Sequence, residues 1–361
     1  MKKVVLLYIV CLITAFLFCE PAFAGWTATV LHPTGATTSY ARSCSDVQQV
    51  GLTVAGSSQH AAMWNGTSGS WVDLNPSWAT SSEAQGVSGG CQVGYVEAPG
   101  CYHAGMWSGS ADSWTDLHPD GYSWSRAYGA SADQQVGYAD SHAVVWNGTT
   151  QSCVDLNPDD ESTSCAMDVS GGWQVGNTSW GSIYHASLWN GTAQSWIDLN
   201  PEGAISSTAH GIDGGVEAGY AEMADHTYRA GIWTGSADSW VDLTPAGSPS
   251  ATAFGISGLW EAGSAVVPYA GEHAGVWMGT AESWQDLHAL LPTGAYYNST
   301  AWDIYSSGDE IWVVGGAVSS TTYQYEAALW HFTPDAVPEP SSFVVLGSFI
   351  GMLGIVLRRR K

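Results

Sequence analysis

Two series of side chains capable of chemistry recur along this chain. One is histidine, at His60, His103, His142, His185 and His273, each heading a five-residue phrase that ends in tryptophan. The other is aspartate, at Asp73, Asp116, Asp155, Asp198, Asp242 and Asp286, each inside a Trp/Cys-x-Asp-Leu phrase. Imidazole and carboxylate together suggest a metal site or acid–base catalysis. Their spacing argues otherwise, because each member sits in a separate repeat. Packed sheets stand about 10 Å apart, whereas a metal takes imidazole nitrogen at about 2 Å. The histidines are therefore expected to hydrogen-bond within their own repeats, and the aspartates to cap turn amides. One Asp per repeat also falls short of the six to eight oxygens calcium takes. No metal site and no catalytic residue are expected; the acidity leaves room for structural calcium and no other cofactor.

The positioning elements follow from the same repeat. Its tryptophan falls at Trp64, Trp107, Trp146, Trp189, Trp233, Trp277 and Trp330, at intervals of 43, 39, 43, 44, 44 and 53 residues. Each unit holds four short apolar runs bounded by Gly, Ser, Asn, Asp or Pro, with no helical period between them. A unit of this kind cannot bury both faces alone and must stack on its neighbours. The fold expected is all-β, a seven-bladed propeller of four-stranded blades. Small Ala and Gly place the first strand at the crowded centre. The first run, Trp26 to Leu31, lacks partners of its own, and the last unit stops at a third strand, so the N-terminal run is expected to close the ring as an outer strand. Asn65-Gly66, Asn147-Gly148 and Asn190-Gly191 suit tight hairpins between third and fourth strands. In an antiparallel blade those turns share a face with the Gly-rich turns between first and second strands.

The opposite face carries longer, less regular connections, which hold aromatics outside the repeat: Trp78, Tyr122, Trp124, Trp180, Tyr184 and Tyr297. Flat rings beside amide and acidic groups suit sugars, and these six are the candidate ligand-binding residues. His-Glu-x-x-His, phosphate-binding and dinucleotide-binding patterns are all missing from the sequence, and the string Gly86-Val87-Ser88-Gly89-Gly90 reads as a Gly-rich turn between first and second strands, not as the strand-to-helix elbow of a nucleophilic serine.

Residues 1–24 read as a secretory signal: Lys2 and Lys3, an apolar run from Val4 to Phe18, and Ala22-Phe23-Ala24. Residues 25–335 form the repeat domain. Only Arg42, Arg126 and Arg229 are basic there, against 31 acidic residues, a net charge near −28. Such a surface repels phosphate backbones and excludes nucleic acid as a partner. Cys91 with Cys101, and Cys153 with Cys165, flank adjacent runs, and an exported location permits two disulfides there, leaving Cys44 as a buried apolar residue.

The C-terminal segment 336–361 contains Val337-Pro338-Glu339-Pro340, an apolar stretch from Phe343 to Leu357, and Arg358-Arg359-Arg360-Lys361. It resembles the PEP-CTERM sorting signal, which implies transient transmembrane anchoring and removal by a membrane-bound processing enzyme after signal peptidase has acted. Fifteen apolar residues span about 22 Å as a helix, short of a hydrocarbon core of about 30 Å. The order Ser-x-Ala-x-Gly, Gln-Val-Gly-Tyr, His-Ala-x-x-Trp, Asp-Leu resembles the HAF-type extracellular repeat and, more distantly, kelch blades. It departs from HAF where an aromatic would follow His-Ala. That resemblance implies secretion and a propeller-like fold. The combined expectation is a non-enzymatic protein of the cell surface or matrix that binds exopolysaccharide. The alternatives are a propeller lyase or glycosidase, and a structural matrix component without a discrete ligand. Intact mass of the secreted protein should give a chain starting at Gly25; a retained residue 1–24 segment would contradict the signal assignment.

Overall fold

The computed structural model of the chain describes residues 25–334, apart from Pro99, Ala132, Asp160 and Glu161. The signal segment 1–24 and the sorting segment 336–361 lie outside the described residues. The described residues fall in two compact units, Thr27–His331, and residues 25–26 with 332–334. In the terminal unit, Thr333 N donates to Gly25 O at 2.9 Å and the Trp26 ring lies 5.4 Å from Phe332.

Seven four-stranded antiparallel sheets make up the rest, with only three-residue 3-10 turns as helix among the described residues. Six blades take their strands in chain order; blade 1, for instance, runs Thr38–Cys44, Gln49–Ala55, Ser58–Trp64 and Val72–Asp73. The seventh combines Tyr296–Ser307, Glu310–Ser319 and Tyr325–Phe332 with the N-terminal strand Trp26–Val30 as its outer member. The ring is thus closed by the first strand of the described chain, which pairs with and covers the third strand Tyr325–Phe332.

Closure repeats the contacts found between other elements. Within blades, the Leu of Asp-Leu donates its amide to an Ala carbonyl of the third strand, as in Leu74 N to Ala61 O at 2.9 Å; Leu31 N does the same to Ala327 O at 2.7 Å. Between blades, the amide of that same Ala position reaches a serine on the next inner strand. Ala61 N donates to Ser82 Oγ at 2.9 Å, and across the closure Ala327 N donates to Ser39 Oγ at 2.9 Å. The seven phrase tryptophans are fully buried, and Leu31, Leu74, Leu117, Leu156 and Leu199 are buried equally completely.

Every inner strand contains a β-bulge. The ladder slips one residue just after the repeated alanine, as between Ala41 and Ser43, Ala166 and Asp168, and Ala301 and Asp303. The bulge turns the preceding carbonyl toward the second strand, where a Cβ on Gly51 would overlap Tyr40 O and one on Gly176 would overlap Cys165 O. Glycine in the Val-Gly step is a steric requirement of the bulge.

The expected disulfides do not form; Cys91, Cys101, Cys153 and Cys165 are free thiols. Cys91 opens the strand Cys91–Ala98, and Cys101 pairs with Ala98 at that strand's far end. Seven strand residues at about 3.3 Å each put them roughly 23 Å apart, far beyond the ~7 Å limit for a bridge. Cys153 lies before an outer strand, whereas Cys165 is on the inner strand of the next blade. Cys44 is buried and also free.

Leu31→Ala should destabilise the protein by about 3 kcal/mol, since it empties a fully buried leucine site at the closure. An unchanged denaturation midpoint would contradict closure by the N-terminal strand.

Candidate functional site

The two recurrent series meet inside each blade. Histidine Nδ1 lies 2.8 Å from Asp73 Oδ2 at His60, 2.9 Å from Asp116 at His103 and 2.7 Å from Asp155 at His142. The pairs His185–Asp198 and His273–Asp286 repeat this at 2.9 and 2.6 Å. The other carboxylate oxygen caps the turn: Asn75 N donates to Asp73 Oδ1 at 2.8 Å, and Thr244 N to Asp242 Oδ1 at 2.7 Å. Where the phrase lacks histidine, Arg229 Nε donates to Thr227 Oγ1, and Glu326 accepts the Tyr296 hydroxyl at 2.6 Å. Among the described residues no cluster of three His, Cys, Asp or Glu side chains is arranged to hold a metal ion. These residues tie third strand to outer strand.

The six candidate aromatics divide. Trp78 is 54% exposed and Trp180 63% exposed, and Tyr184 and Tyr297 are also exposed; Trp180 and Tyr184 share one hairpin of blade 4, whereas Trp78 follows blade 1 and Tyr297 belongs to blade 7. Tyr122 instead packs against a buried cluster containing Leu117 and Trp146, and its carbonyl lies 3.1 Å from His118 Nε2. Burial lowers the pKa of His118, with the neighbouring His103 adding to the effect. Trp124 is held by its loop: Asp140, at φ 53°, accepts from Ser123 N at 2.8 Å and Trp124 N at 3.2 Å, and its own amide donates to Trp124 O. The Trp124 ring stands edge-on to Tyr138 at 4.8 Å.

Trp124 and Tyr138 form part of a groove of about 580 Å³ between blades 2 and 3, which Glu97, Tyr102, Ser123 and Arg126 also line. The Arg126 guanidinium lies 4.3 Å from the Tyr95 ring centroid and 4.3 Å from that of Tyr102. Sequence reasoning missed Arg126 as a site residue. The available signal was its rarity, one of three cations in the repeat domain.

A larger cavity, about 850 Å³, occupies the propeller axis and is lined by the short turns joining first and second strands. Those turns were not among the connections expected to hold a site. The bulges explain the difference, because the extra residue of each inner strand, such as Arg42, Tyr128, His210 and Trp302, lines this space. Four aspartates line it, Asp46, Asp168, Asp213 and Asp303, and two of them bridge neighbouring blades. Asp168 Oδ2 accepts from Ile212 N of the next blade at 2.9 Å, and Asp303 Oδ2 accepts from Cys44 N at 3.0 Å. Enclosure by protein pushes Asp168 up to about 7 and Asp303 up to about 6, while hydrogen bonds to backbone amides act in the opposite sense. Burial also pushes His210 down to about 4.

Residues 336–361 match the PEP-CTERM protein-sorting motif. That motif indicates export, processing by an exosortase, and localisation at the cell surface or outside the cell. Among the described residues no helix is long and apolar enough to cross a membrane; the apolar stretch 343–357 lies outside them. No curated protein matches the chain. Solved structures with a similar fold include the β-propeller domain of the Trilobed protease from Pyrococcus furiosus, at 11% identity and TM-score 0.51, covering 85% of this chain and 98% of that one. Pyrococcus horikoshii acylaminoacyl peptidase matches at 10% identity and TM-score 0.52, covering 83% of this chain and 53% of that one. A Mycobacterium tuberculosis puromycin-hydrolyzing peptidase matches at 11% identity and TM-score 0.51, with coverages of 84% and 56%. The chain thus spans about half the length of these two peptidases. At such identities the likeness shows the fold alone. It does overturn the expectation of a non-enzymatic protein, because propellers of this shape are built into hydrolases and the architecture is no mark of a non-catalytic chain.

The folded state holds the Asp168 proton to about pH 7, whereas an unfolded chain releases it near pH 3.9. The stability contributed by that group is therefore present at low pH and lost as pH rises through this window. Asp168→Asn should gain roughly 2–4 kcal/mol on wild type between pH 4 and 8. Denaturation across pH checks this, and a variant-to-wild-type difference independent of pH would contradict it.

Proposed function

We propose that this exported propeller binds extracellular polysaccharide through the face made by its longer connections, with the Trp124 groove as the principal site. The observation that supports it best is the groove itself: aromatic walls from Trp124, Tyr138 and Tyr102, with charged groups from Glu97 and Arg126, in a space of about 580 Å³. Sugar rings present apolar C–H faces and polar edges, and a concave site with aromatic walls and a few convergent polar groups suits both. Exposed Trp78 and Trp180 on the same face offer secondary contacts for a long polymer. The likeness of the repeat to HAF-type extracellular units, and the address set by the sorting motif, agree with a matrix ligand.

A glycosidase or lyase reading draws on one observation, the two raised carboxyls of Asp168 and Asp303 lining one axial cavity. Both already accept backbone amides across a blade boundary, and that accounts for them as ties between blades. Polymer incubated with the secreted protein distinguishes the readings, because release of new reducing ends would favour the second.

Single changes of Trp78, Trp124 and Trp180 to Ala, assayed on extracellular polysaccharide from the producing cells, test the principal reading. Trp124→Ala should weaken binding about tenfold or more, as expected for an anchoring aromatic, with smaller losses at the other two. Retained binding in all three folded variants would overturn it.

A further inference from the structure

We propose that the groove selects acidic polysaccharide, with Arg126 taking the carboxylate of a uronic acid residue while Trp124 takes a sugar ring. This specifies the substrate class of the polysaccharide reading above and rests on it.

The repeat domain has three cations among 31 acidic residues, so an arginine without a carboxylate partner is unexpected. Arg42 has one, Glu83, whose Oε1 lies 3.0 Å from its Nε. Arg229 donates to Thr227 and lies close enough to Asp225 to lower that carboxyl's pKa. Arg126 has no ion pair among the described residues. Its Nε is shut off from solvent and without a hydrogen-bond partner, and the Tyr128 side chain hydrogen-bonds the guanidinium.

Geometry then defines what could complete it. Rings of Tyr95 and Tyr102 lie against the guanidinium, each at 4.3 Å, and Tyr95 is itself fixed by its hydroxyl donating to Glu83 at 2.7 Å. Cation–π contacts hold the guanidinium beside both rings, and with Nε closed off from solvent they leave the edge formed by the two Nη groups as its remaining binding surface. A carboxylate matches that edge in bidentate fashion, which an isolated hydroxyl cannot do. Glu97 is the groove's own carboxylate, and it is engaged by Ser81, whose hydroxyl donates to Oε2 at 2.7 Å. Trp124 precedes Arg126 by two residues, about 7 Å along an extended chain, a separation on the scale of one sugar unit. Repulsion from the acidic surface is screened beyond about 8 Å in physiological salt, so the local guanidinium decides the preference inside the groove.

Calorimetric titration of the secreted protein with oligogalacturonate and with its carboxyl-reduced, neutral counterpart tests the proposal. Wild type should bind the acidic form at least tenfold more tightly. Arg126→Met should bring the two sugars level, and Trp124→Ala should weaken both. Arg126→Lys, which keeps the charge and most of the stem between the rings, guards against loss of fold; it should retain a preference for the acidic sugar but a smaller one. Equal binding of both sugars by wild type, or an unchanged preference in folded Arg126→Met, would overturn selection by charge while leaving polysaccharide binding intact. Binding of the cell-derived polymer with neither oligosaccharide bound would also overturn this proposal alone. Failure to bind the cell-derived polymer as well would overturn the reading beneath it.

Discussion

Seven inner strands converging on one axis leave too little room for an ordinary ladder, and the β-bulge answers that crowding in every blade. It accounts for the glycine of each Val-Gly step, because the turned carbonyl occupies the space a Cβ would need. It accounts for small residues after the bulge as well. A Cβ on Gly129 would lie 2.8 Å from Asp168 Cα of the next blade, and one on Gly255 would lie 2.9 Å from Asp303 Cα. The three blades that place Ser43, Asp168 or Asp303 there use the side chain to accept an amide from the following blade, at Val87, Ile212 and Cys44. The axial cavity, its buried carboxyls and the spacing of the blades follow from this one accommodation.

The repeated polar residues are consumed by the fold. Histidine and aspartate join third strand to outer strand, serine joins blade to blade, and glutamine holds the hairpin turn, as Gln49 Oε1 does for Gly66 N at 2.7 Å. Blades 5 and 6 replace that glutamine with Glu217 and Glu261, which accept the same turn amides at 2.9 and 3.0 Å. Burial raises both carboxyl pKa values, the cost of placing a carboxylate where a neutral amide serves. The groove between blades 2 and 3 adds side chains outside the repeat, Trp124 and Arg126, to the repeated Tyr102 and Tyr138.

Much of the scaffold was legible because it repeats. The tryptophan period defined the blades, the Asn-Gly turns defined which connections share a face, and the unpartnered N-terminal run defined the closing strand. The histidines and aspartates were readable as hydrogen-bonding pairs because separate blades cannot share an ion. Other features depend on packing that no repeat encodes. Tyr95 and Tyr102 share one hairpin of blade 2, and Arg126 meets them only when blade 3 stacks on it. Tyr122 and Trp78 both occupy connections after an outer strand, yet one packs inward and the other outward. The cysteines were misjudged because adjacency of runs does not reveal which end of a strand each thiol occupies.

The account places a saccharide in the groove on the long-connection face and leaves the axial cavity as a by-product of the bulges. Amide hydrogen exchange of the secreted protein, with and without cell-derived polysaccharide, reads both locations in one experiment. The predicted result is slowed exchange in segments 97–102 and 123–126, with no change in segments 43–47, 86–90 and 128–131, which line the axial cavity. Slowed exchange at the axial segments with an unaffected groove would contradict it.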